Sequence, residues 1–101
     1  MVVVVLLMAV LLGGCAAPDG AELFVKEGCV NCHRLRGVGG SIGPDLTEVF
    51  RRRSEDFVRQ QIREPLRNDP HSVMPSFGHL SDREVEALLE YLRQGPPPEP
   101  Y

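Results

Sequence analysis

Apolar positions change their period along this chain, and each change marks a boundary. Val2 to Leu12 are eleven consecutive apolar residues with no periodicity at all. Such a run suits the core of an export signal and falls short of the ~20 residues that a membrane-spanning helix needs. Beyond Pro18 the pattern becomes amphipathic. Asp19 stands where a helix cap belongs, and the spacing predicts a helix from about Gly20 to Cys32 with Leu23 and Phe24 on its buried side. Ser54 caps a second helix running to about Arg63, with Phe57, Val58 and Ile62 facing inward and Pro65 ending it. Ser81-Asp-Arg-Glu84 reads as a capping box opening the last helix. In that helix Val85, Leu88, Leu89 and Leu92 recur at i, i+3, i+4 and i+7, one continuous apolar stripe, and Gly95 and Pro96 stop it.

No segment repeats and none reads as a strand, so the expected fold class is all-α. Gly37-Val-Gly-Gly-Ser-Ile-Gly43 is a loop and not a dinucleotide fingerprint, because Ile42 holds the third glycine position and no strand precedes it. The tail Pro96-Pro-Pro-Glu-Pro-Tyr101 is expected to be an extended polyproline end.

Charge changes the picture little. The formal net charge is −3, which argues against a nucleic-acid partner. Arg51, Arg52, Arg53, Arg59, Arg63 and Arg67 form a local basic stretch, expected to be a solvated helix face, with a docking patch or an acid-group contact as the lesser reading. Four Phe, two Tyr and no Trp leave a chain of this length short of bulk for a full core.

The chemistry concentrates in Cys29-Val-Asn-Cys32-His33. Cys-x-x-Cys-His is the attachment pattern of a c-type haem. Two thiols three residues apart share one face of a helical turn and can add to the two vinyl groups of one porphyrin. The next residue then offers its imidazole to the iron as the proximal ligand. A haem also supplies the apolar bulk that the aromatics do not, and the glycine loop would let backbone pass close to it. A structural zinc site needs four Cys or His ligands, and beyond this cluster the chain offers only His71 and His79. A thioredoxin-like pair would need a βαβ context that no run supports.

Cys15 has a separate explanation. Leu12-Gly13-Gly14-Cys15 resembles the lipobox of bacterial lipoproteins, in which the Cys sulfur receives a diacylglycerol after cleavage before it. No Lys or Arg precedes the apolar run, a departure from an ordinary export signal. A soluble secretory peptide with a free Cys15 is the plainer alternative. Lipidation accounts for the odd thiol, so that two cysteines serve the haem and one the lipid. The expected organisation is a lipoprotein signal peptide over 1–14, a lipidated anchor and linker over 15–19, a haem domain over 20–95 and the Pro-rich tail over 96–101.

With these elements placed, residues 19–94 resemble the class I cytochrome c family. The resemblance rests on Gly20 and Phe24 before the Cys29–His33 motif, then Gly43-Pro44-Asp45-Leu46, Met74-Pro75 and Leu88-Leu-Glu-Tyr91-Leu92, in the family's order. It implies three main helices wrapped around one covalent haem, with the first and last crossing at Gly20 and locked by Phe24 and Tyr91. It also implies that the backbone carbonyl of Pro44 orients His33, that Leu46 packs on the ring, and that Met74 is the distal ligand. Met74 is also the only Met beyond the apolar leader. Core filler is the plainer role for it, and His71 and His79 are the competing distal ligands.

With both axial positions filled, the expected function is single-electron transfer by a membrane-anchored monohaem cytochrome, not an enzyme, facing the extracytoplasmic side. Its expected partners are membrane-bound donor and acceptor proteins and the bilayer itself, through the lipid on Cys15. Alternatives are a fixed subunit of a larger oxidase or reductase, or a peroxidase or gas sensor, either of which needs an open or replaceable distal position.

Overall fold

A computed structural model describes residues 17–94, so the expected signal segment, Cys15 and the Pro-rich tail lie outside the described residues. Six helices and one short hairpin follow in order: α1 Gly20–Lys26, α2 Cys29–Cys32, β1 Arg34–Leu35, β2 Val38–Gly39, α3 Val49–Arg52, α4 Glu55–Arg63, α5 Pro65–Asn68 and α6 Asp82–Arg93. The three long ones, α1, α4 and α6, are those the apolar spacing marks.

Helix α6 forms where the capping box predicts. Ser81 Oγ accepts from the Glu84 N–H at 3.1 Å and Glu84 Oε1 accepts from the Ser81 N–H at 2.9 Å. Its whole stripe of Val85, Leu88, Leu89 and Leu92 is buried, with Leu89 and Val85 deepest. Against that stripe lies α1, capped by Asp19 Oδ1 and burying Leu23 and Phe24 as expected. The two helices meet at Gly20, where a Cβ would stand 2.7 Å from Tyr91 Cβ and press into the Ala87 carbonyl. Only a residue without a Cβ allows backbones this close. The Phe24 and Tyr91 rings close the crossing, centroids 5.6 Å apart and tilted by 58°.

Helix α4 turns Val58 and Ile62 into the same core. Its cap is Ser54, whose Oγ accepts from the Phe57 N–H at 3.1 Å, and it ends at Arg63 ahead of Pro65, which opens α5. Phe57, expected inward, is only half-buried, and the Arg53 guanidinium covers its ring at 4.4 Å. It sits at the margin of the stripe.

Three expectations need correction. The first helix does not run to Cys32. It ends at Lys26, and Gly28 at φ +81° redirects the chain before α2 begins anew. The chain also contains strand: β1 and β2 pair antiparallel, Arg34 with Gly39 and Leu35 with Val38. Two-residue strands are too short to show a period, so the pattern could not reveal them. Their two-residue turn has positive φ at both positions, Arg36 (48°) and Gly37 (86°), as a hairpin of this hand demands. Arg36 tolerates that conformation because tertiary bonds hold it. Its N–H donates to Thr47 Oγ1 at 2.9 Å, and its guanidinium donates to the Gln94 carbonyl at 2.7 Å while lying over the Tyr91 ring.

The basic stretch, finally, is exposed in part but not an open cationic surface. Arg51 and Arg67 pair with Glu48 and Glu64 on their own turns, and Arg52 donates to the Asp45 carbonyl. Arg59 grips Glu86, and Arg63 grips Asp82 at 2.5 Å, so these two clamp α4 to α6.

Candidate haem site

The turn that carries the motif is built by its surroundings. Cys29 and Cys32 are half-buried and unbridged at the two ends of α2, a single turn, which places both thiols on one side. Burial pushes the Cys29 thiol up to about 11, with the nearby Glu27 carboxylate adding to the effect and a backbone hydrogen bond opposing it. A redox-active dithiol needs the reverse, a thiol held low so that it is thiolate at neutral pH.

His33 follows as the residue capping α2, its N–H donating to the Cys29 carbonyl at 2.9 Å. The Nδ1 of its ring lies 2.8 Å from the Pro44 carbonyl. A carbonyl can only accept, so Nδ1 carries a proton, and in the neutral ring Nε2 is the nitrogen with a lone pair for a metal. The glycine loop is packed tightly here, although against protein. A Cβ on Gly39 would stand 3.0 Å from the Val30 carbonyl oxygen, and one on Gly40 2.8 Å from the Asn31 carbonyl carbon. On Gly43 it would stand 2.5 Å from His33 Cε1 and 2.8 Å from Nδ1. Hydrogen bonds Gly40 N–H to Val30 O (2.9 Å) and Gly43 N–H to Cys32 O (2.7 Å) bind the loop to the motif's backbone. Leu46 is half-buried at the edge of the core, its N–H donating to the Arg34 carbonyl.

Met74 stands on a separate loop tied to the end of α4. Ser76 Oγ donates to the Arg63 carbonyl at 2.5 Å and the Phe77 N–H to the Ile62 carbonyl at 2.8 Å. These carbonyls lie in the last turn of α4, where no further helix is available to take them. Met74 itself is half-buried against the core, and its sulfur accepts from Gln61 Nε2 at 3.5 Å. The two histidines differ from it. His71 is exposed, and His79 is exposed and bonded to Glu27 at 3.1 Å. The bond from Gln61 carries no signal in the sequence, where Gln61 is one polar residue beside a buried stripe.

A family model described as cytochrome c matches residues 17–96. The chain belongs to the cytochrome c family. It is 31% identical over 84 residues to a nitric oxide reductase subunit of Stutzerimonas stutzeri, covering 77% of this chain and 57% of that one. Over 85 residues it is 29% identical to cytochrome c oxidase subunit 2 of Alkalihalophilus pseudofirmus, covering 76% of this chain and 25% of that one. Over 98 residues it is 35% identical to dihydro-heme d1 dehydrogenase of Pseudomonas aeruginosa, covering 94% and 19%. The chain thus spans under three fifths of each of these relatives. No solved structure matches significantly.

This cytochrome c carries a covalent haem c. The residues present fit that group. Two unbridged thiols share one turn, and the imidazole beside them has a hydrogen bond on one ring nitrogen that leaves the other available. Among the described residues no helix is long and apolar enough to cross a membrane.

Proposed function

We propose that this cytochrome c is a monohaem single-electron carrier that is itself no enzyme, with Cys29 and Cys32 as thioether sites, His33 as proximal ligand and Met74 as distal ligand. Bound haem c supplies a one-electron change at iron. The chain's part is to hold that change in a fixed environment. Pro44 keeps the His33 ring from turning, Leu46 would pack against the haem, and Met74 would close its opposite side. The observation that carries the reading is the His33–Pro44 hydrogen bond, which commits Nδ1 and leaves Nε2 as the donor. A thioether favours Fe(II), so the His/Met pair places the potential above that of two histidines.

The same reading anchors the protein by a lipid on Cys15, outside the cytoplasm, with membrane-bound donors and acceptors. Only Ala16, Ala17, Pro18 and Asp19 separate Cys15 from α1. Five steps of extended chain reach at most ~18 Å, so the domain would lie against the bilayer. A fixed subunit of a larger redox complex is the second reading, favoured by relatives whose own names are those of subunits.

Reduced protein exposed to CO at neutral pH tests the distal assignment. The expected result is no binding in the wild type and ready binding in Met74→Ala, while Met74→His stays six-coordinate at a lower potential. Binding by the wild type would point to a sensor or a peroxidase instead. For the anchor, Cys15→Ser should move the protein to the soluble fraction, and a native mass without added lipid would count against it.

A further inference from the structure

Charge is spread unevenly along this chain. Asp, Glu, Lys and Arg make up 25% of its residues, yet 28–33, 37–44 and 70–81 contain none of them. These three segments carry Cys29, Cys32, His33, the Pro44 carbonyl and Met74. They also adjoin one another. The Gly40 and Gly43 N–H groups donate to the Val30 and Cys32 carbonyls at 2.9 and 2.7 Å, which lays the second segment on the first. His79 bonds Glu27, immediately before the first segment, at 3.1 Å, which brings the third beside it. Among the described residues the exposed large apolar side chains are Val25, Val38, Ile42, Leu66 and Val73, and three of them, Val38 (68% exposed), Ile42 (77%) and Val73 (88%), fall in these segments. Charges at the segment ends are of both signs, and several are engaged: Glu27 pairs with His79, Asp82 with Arg63, and Arg36 donates to the Gln94 carbonyl. The residues around the haem-binding groups thus form an uncharged rim with apolar side chains standing out from it.

We propose that this rim docks a second copy of the chain and that a single electron crosses between the two. The proposal rests on the reading of this cytochrome c as a single-electron carrier. A patch of one sign repels its own copy, because like charges brought together are strongly penalised. An uncharged apolar patch is complementary to itself, and two copies can present it to each other across a two-fold axis. The formal net charge is −3, so copies that met at a strongly acidic face would repel. At the rim, apolar side chains make the contact and the net charge lies elsewhere. Three exposed side chains fall well short of the roughly 1,200–2,000 Å² that a stable interface buries, and suit the smaller, short-lived contacts of redox encounters. The docked pair exchanges oxidation states: one electron leaves the reduced copy and enters the oxidised one, with no bond made or broken and no proton moved. Copies tethered to one bilayer through Cys15 would meet at raised effective concentration, and electrons would pass laterally from copy to copy.

Two measurements on the holoprotein in mild detergent test this. NMR line broadening in half-reduced samples reads self-exchange, and amide shifts of fully reduced protein on dilution read docking itself. The thioether–iron charge-transfer band is recorded for every oxidised sample. Wild-type self-exchange should change by less than about twofold between low and high salt. The amides that shift should lie in 28–33, 37–44 and 70–81. Ile42→Glu and Val73→Glu should each slow exchange by roughly tenfold at low salt and regain most of it at high salt. A mixture of Ile42→Glu with Ile42→Lys should exchange faster than either variant alone. Val25→Glu, on the exposed side of α1, should match the wild type. If Val73→Glu loses the band through its neighbour Met74, Val38→Glu takes its place. A wild-type rate that climbs steeply with salt, shifts centred on other segments, or a Val25→Glu effect as large as that of Ile42→Glu overturns the proposal. So do rim variants that impair reduction by native membranes yet leave self-exchange unchanged, since the occupant is then a different redox protein. In each of these cases a band intact in the wild type leaves the carrier reading standing. A band absent from the wild type removes Met74 from iron and overturns that reading along with the proposal built on it.

Discussion

Gly43 and His33 are in contact so close that no other residue fits at position 43. A Cβ there would stand 2.5, 2.8 and 3.1 Å from three atoms of the imidazole ring. In Gly43→Ala either the ring or the loop must give way, and the loop is pinned by the Gly43 N–H to the Cys32 carbonyl. The ring should therefore swing and stretch its bond to Pro44. We expect a stability loss of about 1–3 kcal/mol, the usual cost of overpacking. The potential should rise, because a weaker Nδ1–H bond makes the imidazole a poorer donor to Fe(III). Redox titration alongside denaturant unfolding checks both. An unchanged potential would mean that the loop moved and the ring did not.

How much of this was visible in the sequence differs by kind of signal. Helix α6 was legible to the residue at its start, because a capping box and a four-residue stripe are local and redundant. The break at Gly28 was not. A helical reading carries through one glycine at modest cost, and nothing local says that this glycine takes a left-handed conformation. The hairpin at residues 34–39 was invisible for lack of length. The motif Cys29–His33 announced its chemistry outright. The pairing of His33 with Pro44, eleven positions apart, came only through family resemblance, since the hairpin and glycine loop between them encode it by shape. The bond from Gln61 to the Met74 sulfur was beyond reach, because it depends on an amide network spanning α4, α5 and the Met74 loop.

The crossing of α1 and α6 gives a second steric prediction. Alanine ordinarily stabilises a helix relative to glycine by up to ~1 kcal/mol. At Gly20 the new Cβ would meet backbone, the Ala87 carbonyl, along with Tyr91 Cβ at 2.7 Å. Backbone cannot rotate out of the way as a side chain can. Overpacking should win, with a net loss of about 1–3 kcal/mol, or roughly 5–20 °C in Tm for a domain of this size. A Gly20→Ala protein as stable as the wild type would show that the helices separate without cost.

Acid should loosen the α4–α6 clamp. The Arg59 guanidinium holds the Glu86 carboxyl below its ordinary range, and the Ser81 cap does the same for Glu84. A carboxyl with a depressed folded-state value contributes stability above its unfolded value, near 4.5, and that contribution disappears as pH falls through the folded value. Wild-type stability should therefore decline below about pH 5, and Glu86→Gln should decline less steeply. The difference between them should shrink toward acid and with added salt, because both partners are partly exposed. Denaturant midpoints at several pH values read this directly. A difference that grew toward acid would assign the effect of Glu86→Gln to packing.

Without haem attachment this chain should not hold its native packing. The described core is eleven side chains, ten of them aliphatic, and Phe24 is its one aromatic. Phe50, Phe77 and Tyr91 are half-buried at its margin, and the loops carrying Leu46 and Met74 add only partly buried apolar surface. Domains this small bury a modest share of their surface and sit near the limit of independent stability. Covalent attachment changes this balance in two ways. It brings a large apolar body into contact with the chain, and it links Cys29 and Cys32 through a rigid ring, which restricts the unfolded state as a crosslink does. Cys29→Ala combined with Cys32→Ala removes both effects while costing little at the sites themselves, since both side chains are only half-buried. The expected outcome is loss of attached haem and of a cooperative thermal transition, with aromatic circular dichroism reduced to that of mobile side chains. The α6 helix, best capped and longest, should retain the most residual helicity. A cooperative transition in the haem-free double variant, at a midpoint near that of the holoprotein, would show that the aliphatic core between α1, α4 and α6 suffices alone.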